Sequence, residues 1–504
     1  MEGNIEDIYD GLLYQEFFQP GGFLRNDNNL SFSWYSDGIQ VFKSKPYSVW
    51  PVYLTINELP YKKRISEENI IVAALWFGRS EPQVNLFLKP LRSTFERLHT
   101  GISVRVPGKE DPIIVRGMLL SGMGDTPARC QYLCHVRGNG KFGCTKCFSQ
   151  GYTIRGEGFG NTHIYPFKGD LKLRTLRMVN KDALKALRKG EPVHGVKGPS
   201  IVFKIMPDAV RGVAIDVAHC LYLGLVKRLM KLWFDVQFRN EPFSLNEYVG
   251  IVDARLASIC PPSNVQRGTR SIILDLSYFK ANEFKPLFFY YLPVVLEDLM
   301  EKTYFNHFCK FLCALEILCC ESISPEDVVK ADKLLNAFVC QFQVLYDPRF
   351  MSTNNHLLRH FGQTVSELGP LWVTSCMPGE SLNGKLVKMV HGTRHVGLQM
   401  QSAVAHGLIL PYLVSKMPES KAKTFCERLL SSKKKQKLTA ISRDFSVIGN
   451  LVDCDIVPED ERNVLAGHDY GNVRIFYRLR NRKLVYYSSD YKKKQKTVEI
   501  ELLC

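Results

Sequence analysis

No stretch of the chain is long and apolar enough to cross a bilayer: the longest apolar run, Pro286 to Leu296, stops at Glu297, short of the about 20 residues a span needs. The amino terminus, Met1-Glu-Gly-Asn-Ile-Glu-Asp, has no basic stretch ahead of an apolar one and does not read as a signal peptide. Fifteen cysteines is an odd number, and Cys309, Cys313, Cys319 and Cys320 sit inside apolar runs, which excludes a secreted disulfide framework. Internal repeats and long low-complexity segments are also missing. An intracellular, reduced protein is expected.

Acidic residues are in short supply. Over 504 residues, 66 Lys plus Arg face 50 Asp plus Glu, a formal net charge of +16. A chain 45% hydrophobic and 11% aromatic is not mostly disordered, and its length predicts about three to four units of about 150 residues. The positive excess suits an anionic partner, most commonly nucleic acid, and it also fits a merely soluble enzyme.

A polar, Gly-rich leader over 1–30 precedes four runs that read as strands: Ser31 to Ser36, Val49 to Ile56, Ile70 to Phe77 and Ile113 to Leu120. Between the third and fourth, Pro82 to Leu98 has helical spacing, with Pro90 placed to kink or break it. Between Asp125 and about Gly198 the chain is rich in Gly, Lys and Cys, with the CxxC-containing segment over 136–200 and one basic amphipathic helix near Lys181 to Lys189. Helical periodicity then dominates 201–350, in Asp216 to Phe234, Pro286 to Met300, His307 to Cys320 and Pro325 to Leu345. It continues over 351–415, where Pro378-Gly379 reads as a helix start. The segment 421–504 carries 18 Lys plus Arg against 11 Asp plus Glu, and Val473 to Tyr477 with Leu484 to Ser488 predicts a hairpin.

Three acids fall at element ends: Asp37 in Ser36-Asp37-Gly38 after the first strand, Asp125 in Gly124-Asp125-Thr-Pro-Ala128 after the fourth, and Glu380 in the first turn of a late helix. That is the arrangement a ribonuclease H-like nuclease needs, with carboxylates converging on two Mg²⁺ or Mn²⁺ ions through hard oxygen ligands. Asp-Gly is equally a common turn, and an acid at a helix start equally a cap. Cys144-Thr-Lys-Cys147 has zinc-knuckle spacing, and His356 and His360, four apart, share a helix face. Two Cys and two His complete a tetrahedral Zn²⁺ site; a reduced or redox CxxC pair with ordinary histidines is the other reading. Asp216 and His219 can orient one another, or form a helix cap beside a buried His.

The basic residues Lys433, Lys434, Lys435, Lys437, Arg478, Arg480, Arg482, Lys483, Lys492, Lys493, Lys494 and Lys496 can bind phosphates, act as nuclear-import signals, or line solvated loop ends. Tyr477, Tyr486, Tyr487 and Tyr491 suit base stacking or plain sheet packing.

From about residue 31 to 410 the chain resembles a CACTA (En/Spm-type) transposase. Besides the motifs above, the resemblance rests on Trp50-Pro51-Val52, Asn57-x-Leu59-Pro60, Phe87-Leu88-Lys89-Pro90-Leu91, Leu223-Gly224, Phe284 to Leu299 and Leu368-Gly369-Pro370, all in the family's order. It implies an α/β ribonuclease H-like core with a mixed sheet, begun in 31–135 and completed in 351–415. A large all-α insertion would interrupt that core, and a small basic β-rich module would follow it. It implies cut-and-paste DNA chemistry at Asp37, Asp125 and Glu380, and a zinc site at Cys144, Cys147, His356 and His360 like that of the related V(D)J recombinase catalytic subunit. Asp216-x-x-His219 matches a signature motif of several eukaryotic transposases. DNA, further copies of the chain and a second element-encoded or host DNA-binding protein are the expected partners, in the nucleus.

Two departures stand out. Pro-Gly precedes Glu380 where the family more often has an aromatic, and only about 30 residues precede the first strand where large members carry an end-recognition segment. A partial copy, or an inactive host-adopted DNA- or chromatin-binding derivative, is the alternative expectation. A zinc-stapled helical scaffold with no nucleic-acid role is a third.

Overall fold

The computed structural model describes residues 3–42, 47–156, 160–259, 261, 265, 269–430, 438–449, 451–453, 474–481 and 484–487. The chain forms two compact units, one of residues 1–256 with 270–408 and one of 257–269 with 409–504. No helix among the described residues is long and apolar enough to cross a membrane.

The first unit is built on a mixed α/β sheet. Its main strands are β1 (Asn29–Tyr35), β2 (Ser48–Ile56), β3 (Ile71–Gly78) and β4 (Ile113–Met123). Strand β2 pairs antiparallel with β1 on one side and β3 on the other, and β4 lies parallel to β1. Two short strands, Ile39–Gln40 and Ile102–Val104, extend this sheet against β2 and β4. Near the end of β4 a parallel bridge joins Gly122 to Val213, and the Ala214 amide donates to Gly122 O at 2.8 Å.

Alternation along the strands divides the core. Phe32, Trp34, Trp50, Val52 and Leu119 face one layer with Val84, Leu88, Phe95, Val202 and Met206. On the other side Met118 and Leu120 pack with Leu13, Tyr14, Leu24, Ala214 and Leu368. Residues 8–25, which read as part of a polar leader, therefore contribute core: helix Leu12–Phe18 buries Leu13 and Tyr14, and the buried Arg64–Asp7 ion pair at 2.7 Å ties down the residues before it. The helix is only seven residues long, too short for a periodic signal.

The predicted helix at Pro82 to Leu98 is two pieces, Val84–Phe87 and α1 (Lys89–Thr100). Pro90 explains the break, because it is tolerated in a first turn, where no intrahelical donor is needed. Helices α2 (Thr126–Tyr132) and α3 (Leu176–Lys189) follow, with the hairpin Tyr152–Gly156/Gly160–Ile164 between them. The helical region holds Pro325–Leu345, as its periodicity predicts, and Lys302–Leu318 against it. Around Phe308, Phe311, Phe338, Phe342 and Tyr346 this region has its own aromatic core. His307 is buried there with Nε2 2.9 Å from Phe338 O, and burial pulls its pKa down to about 4.

Helix α4 (Met377–Lys388) returns to the sheet, where Cys376 and Leu382 meet Tyr35, Tyr53 and Ile70.

In the second unit Leu438–Ala440, Phe445–Ile448, Arg478–Asn481 and Leu484–Tyr487 form an antiparallel sheet. The hairpin partner of Leu484–Tyr487 is thus Arg478–Asn481, whereas Arg474–Ile475 pairs with Val452–Asp453. The run Val473 to Tyr477 is more β-branched and aromatic, but a tight connection selects the strand nearest in sequence.

Candidate functional site

Asp37 and Asp125 come to neighbouring strand ends. Tyr35 of β1 pairs in parallel register with Met123 of β4, and the two acids each follow two residues later. The β1 ladder with β2 pairs Tyr35 with Tyr53 and resumes at Ile39 with Val49, so Ser36-Asp37-Gly38 interrupts it opposite Pro51. Proline has no N–H to donate, so the ladder loses no bond from that residue. Gly38 is required here: a Cβ on it would fall 2.5 Å from the Trp50 ring.

Asp125 caps α2, its Oδ1 accepting the Ala128 amide at 2.7 Å. Asp37 Oδ1 accepts the Gly38 amide at 2.7 Å. Burial, and then the charge of Asp125, push the Asp37 carboxyl up to about 7 from 3.8, with a smaller contribution from Glu380.

Glu380 stands in the first turn of α4. The preceding Gly379 lies so close to the sheet that a Cβ there would sit 2.0 Å from Tyr35 Cδ1. Burial raises the Glu380 pKa, His219 opposes this, and Asp216 and Asp125 reinforce it. Its Oε1 is buried without a hydrogen-bond partner among the described residues; His219 Nε2 is 3.6 Å away, an ion-pair distance beyond hydrogen-bond reach.

Asp216 and His219 join this group from the π-helical stretch Ala218–Val226 and the residue pair before it. Asp216 Oδ2 accepts from the His219 amide and meets Nδ1, both at 2.7 Å, while Oδ1 accepts the Cys376 amide at 2.9 Å. Burial opposes the charge on each partner. The bond between them outweighs it, lowering the Asp216 pKa and raising that of His219 to about 9.

A second constellation lies at Cys144, Cys147, His356 and His360. All four are buried, with ligand atoms within 4.8 Å of one another. Cys144 Sγ is 3.4 Å from His360 Nε2 and Cys147 Sγ is 3.2 Å from His356 Nε2. A tetrahedral zinc ion with ordinary bond lengths separates S and N ligands by about 3.5 Å, so the cluster can bind a metal such as zinc. Burial disfavours a Cys144 thiolate, but hydrogen bonding from Cys147 and the two imidazoles outweigh it and hold the thiol well below its usual range. Cys147 is pushed upward, first by its hydrogen bond with Cys144.

The cluster is braced by residues that carry no sequence signal. Arg174 Nε donates to Cys144 O at 3.1 Å and Cys147 O at 2.8 Å, and Tyr165 stacks on His356 with centroids 5.2 Å apart. The Lys146 and Ser149 amides point at the two sulfurs, at 3.4 and 3.5 Å. Such outer contacts orient ligands, but no fixed spacing announces them.

Of the basic residues singled out in the sequence, Arg478 and Arg480 lie on the strand Arg478–Asn481 of the second unit. Lys433, Lys434, Lys435, Lys437, Arg482, Lys483, Lys492, Lys493, Lys494 and Lys496 lie outside the described residues, as does Tyr491.

A search among curated proteins found none that matches the chain. Residues 7–165, which contain β1 to β4, Asp37, Asp125, Cys144 and Cys147, match the family model described as transposase family tnp2, and that similarity supports a transposase family.

Proposed function

We propose that the chain is a DNA transposase, or a protein derived from one, in which Asp37, Asp125 and Glu380 hold two Mg²⁺ or Mn²⁺ ions for phosphodiester cleavage and strand transfer at element ends. The observation that carries this reading is the Tyr35–Met123 register, from which two acids follow at the same step on adjacent strand ends. The strand order β3–β2–β1–β4, with only β4 parallel to β1, supports a ribonuclease H-like core. The helical region between Asp125 and Glu380 then reads as its insertion.

The residues fit the ions. A carboxyl lifted to about 7 by burial and a neighbouring carboxylate is a site short of positive charge, and Glu380 Oε1 is a buried acceptor without a donor among the described residues. All three side chains offer the hard oxygens these cations select. When bound, the ion pair supplies the charge that activates the attacking oxygen and neutralises the leaving one.

The chain's own contribution is positioning. The Ala128 amide fixes one oxygen of Asp125 and so directs the other. Asp216 holds the start of α4 and orients His219, whose raised pKa keeps a cationic donor beside an incoming phosphate. We read Cys144, Cys147, His356 and His360 as a structural zinc site joining the loop after α2 to the helices before α4. DNA as partner, assembly with further copies and a nuclear location belong to the same reading.

The test is end-labelled duplex DNA incubated with the purified chain and Mg²⁺ or Mn²⁺. Nicking that disappears in Asp125→Asn supports the reading; Asn is preferable to Ala because it still caps the helix. An inactive DNA- or chromatin-binding derivative is the second reading, favoured by the cap at Asp125 and the ion pair at Glu380, which give both acids structural roles. Salt-sensitive binding without cleavage in either ion would establish it.

A further inference from the structure

The first unit carries a basic surface that neither the acids nor the zinc cluster accounts for. Helix α3 has Arg177, Lys181, Lys185, Arg188 and Lys189 exposed. Lys189 pairs with Glu191 at 3.8 Å. Arg177, Lys181, Lys185 and Arg188 have no ion pair or hydrogen bond with any described residue. The only acid on the helix, Asp182, is buried and 3.0 Å from His194 Nδ1, so it does not offset them.

At about 100° per residue, Arg177, Lys181, Lys185 and Arg188 fall within an arc of about 80°. They lie along about 16 Å of helix, the axial length of about five phosphates on one strand of duplex DNA.

The helix is held firmly. Val179 and Ala183 pack on Val196 and Val210. Thr175 caps one end, and Gly190, with φ of 70°, caps the other. Arg174, one residue before the cap, grips the carbonyls of Cys144 and Cys147.

We propose that this face of α3 binds the phosphate backbone of DNA without reading sequence. The assignment rests on DNA being the substrate and adds to it a site made by residues other than the acids. An anionic membrane would need a continuous apolar stripe between the cations. Here Leu184 and Met178 flank the cations, each about 20° outside opposite edges of their arc, and Leu187 lies about 60° beyond Leu184, so no apolar stripe runs between the cations.

The experiment measures the affinity of full-length Asp125→Asn protein for a fluorescein-labelled duplex by anisotropy, without Mg²⁺, across a KCl series. It is repeated with Arg177, Lys181, Lys185 and Arg188 each changed to Gln, a good helix former. The slope of log K against log salt should shrink by about 3 to 4, so that the affinity lost between about 50 and 200 mM salt falls by about 100-fold. Circular dichroism should be unchanged, and changing Lys330 and Lys333 of Pro325–Leu345 to Gln should leave the slope near that of the parent.

Unchanged slope and affinity in a folded quadruple variant would overturn the α3 assignment and leave the cleavage reading standing. An equal effect per charge from Lys330 and Lys333 would also overturn it. Lost binding to phosphatidylserine vesicles with DNA affinity intact would make α3 a lipid face. A parent protein that does not bind the duplex at all would end both this assignment and the DNA reading.

Discussion

Asp216 accepts the backbone amide of Cys376 at 2.9 Å, across 160 residues of sequence, at the point where the chain enters the helix that carries Glu380. The same carboxylate holds His219. One buried side chain thus ties the π-helical stretch to the start of α4, and the geometry of the third acid depends on it.

Replacing Asp216 by Ala leaves the Cys376 amide and the His219 ring without their acceptor. Each unsatisfied group costs about 1–3 kcal/mol. Urea denaturation should show a loss of about 2–5 kcal/mol, and cleavage should fall together with metal affinity. Asp216→Asn keeps an acceptor for the amide and should retain most of the stability. Equal stability of the Ala variant and the parent would refute the tie.

Gly379 sets how closely α4 approaches the sheet. Adding a methyl there drives into Tyr35, with a contact of 2.0 Å that only a shift of α4 can relieve. Gly379→Ala should destabilise by about 1–3 kcal/mol and reduce cleavage about 100-fold through misplacement of Glu380, with zinc content unchanged. Gly384→Ala, on the same helix with nothing within 4 Å, is the control. Full activity of Gly379→Ala would show that α4 need not sit so close.

Stability without divalent ions should depend on pH through Asp37. Below 3.8 the carboxyl is protonated both folded and unfolded; between 3.8 and about 7 the folded chain keeps a proton that the unfolded chain releases. Stability therefore falls as pH rises through that window and levels off above it. Asp37→Asn should remove this contribution, melting higher than the parent above pH 7 and alike below pH 4. A melting curve for Asp37→Asn that tracks the parent at every pH would contradict the raised pKa.

For the Cys/His cluster, metal analysis of the purified chain should find one zinc, and Cys144→Ser or His360→Ala should abolish it. Chelation should lower the melting temperature of the parent and leave the variants unmoved, because metal binding and folding are linked. Unchanged zinc in Cys144→Ser would reject the site.

Much of this was legible in the sequence where local chemistry is decisive. Branched and aromatic runs bounded by turns gave β1 to β4 to within a few residues, and three- and four-residue spacing of apolar positions gave the long helix Pro325–Leu345. The spacing of Cys144 and Cys147 and the helical pairing of His356 and His360 sufficed to join residues that meet more than 200 positions apart. Contacts made by single residues were not legible. Nothing local marks Arg174 as the brace behind two thiols, or Tyr165 as the plate under His356. The core role of Leu13 and Tyr14 was hidden in a segment too short to show a period, and the partner of Leu484–Tyr487 was decided by loop length rather than strand propensity.

The most direct test of the central claim is a Mn²⁺ titration of zinc-loaded protein followed by the electron paramagnetic resonance of the free ion. Two Mn²⁺ should bind per chain, with loss of binding in Asp37→Asn, Asp125→Asn and Glu380→Gln while zinc content stays intact. Equal Mn²⁺ uptake by the parent and the three variants, or none by the parent, would contradict it.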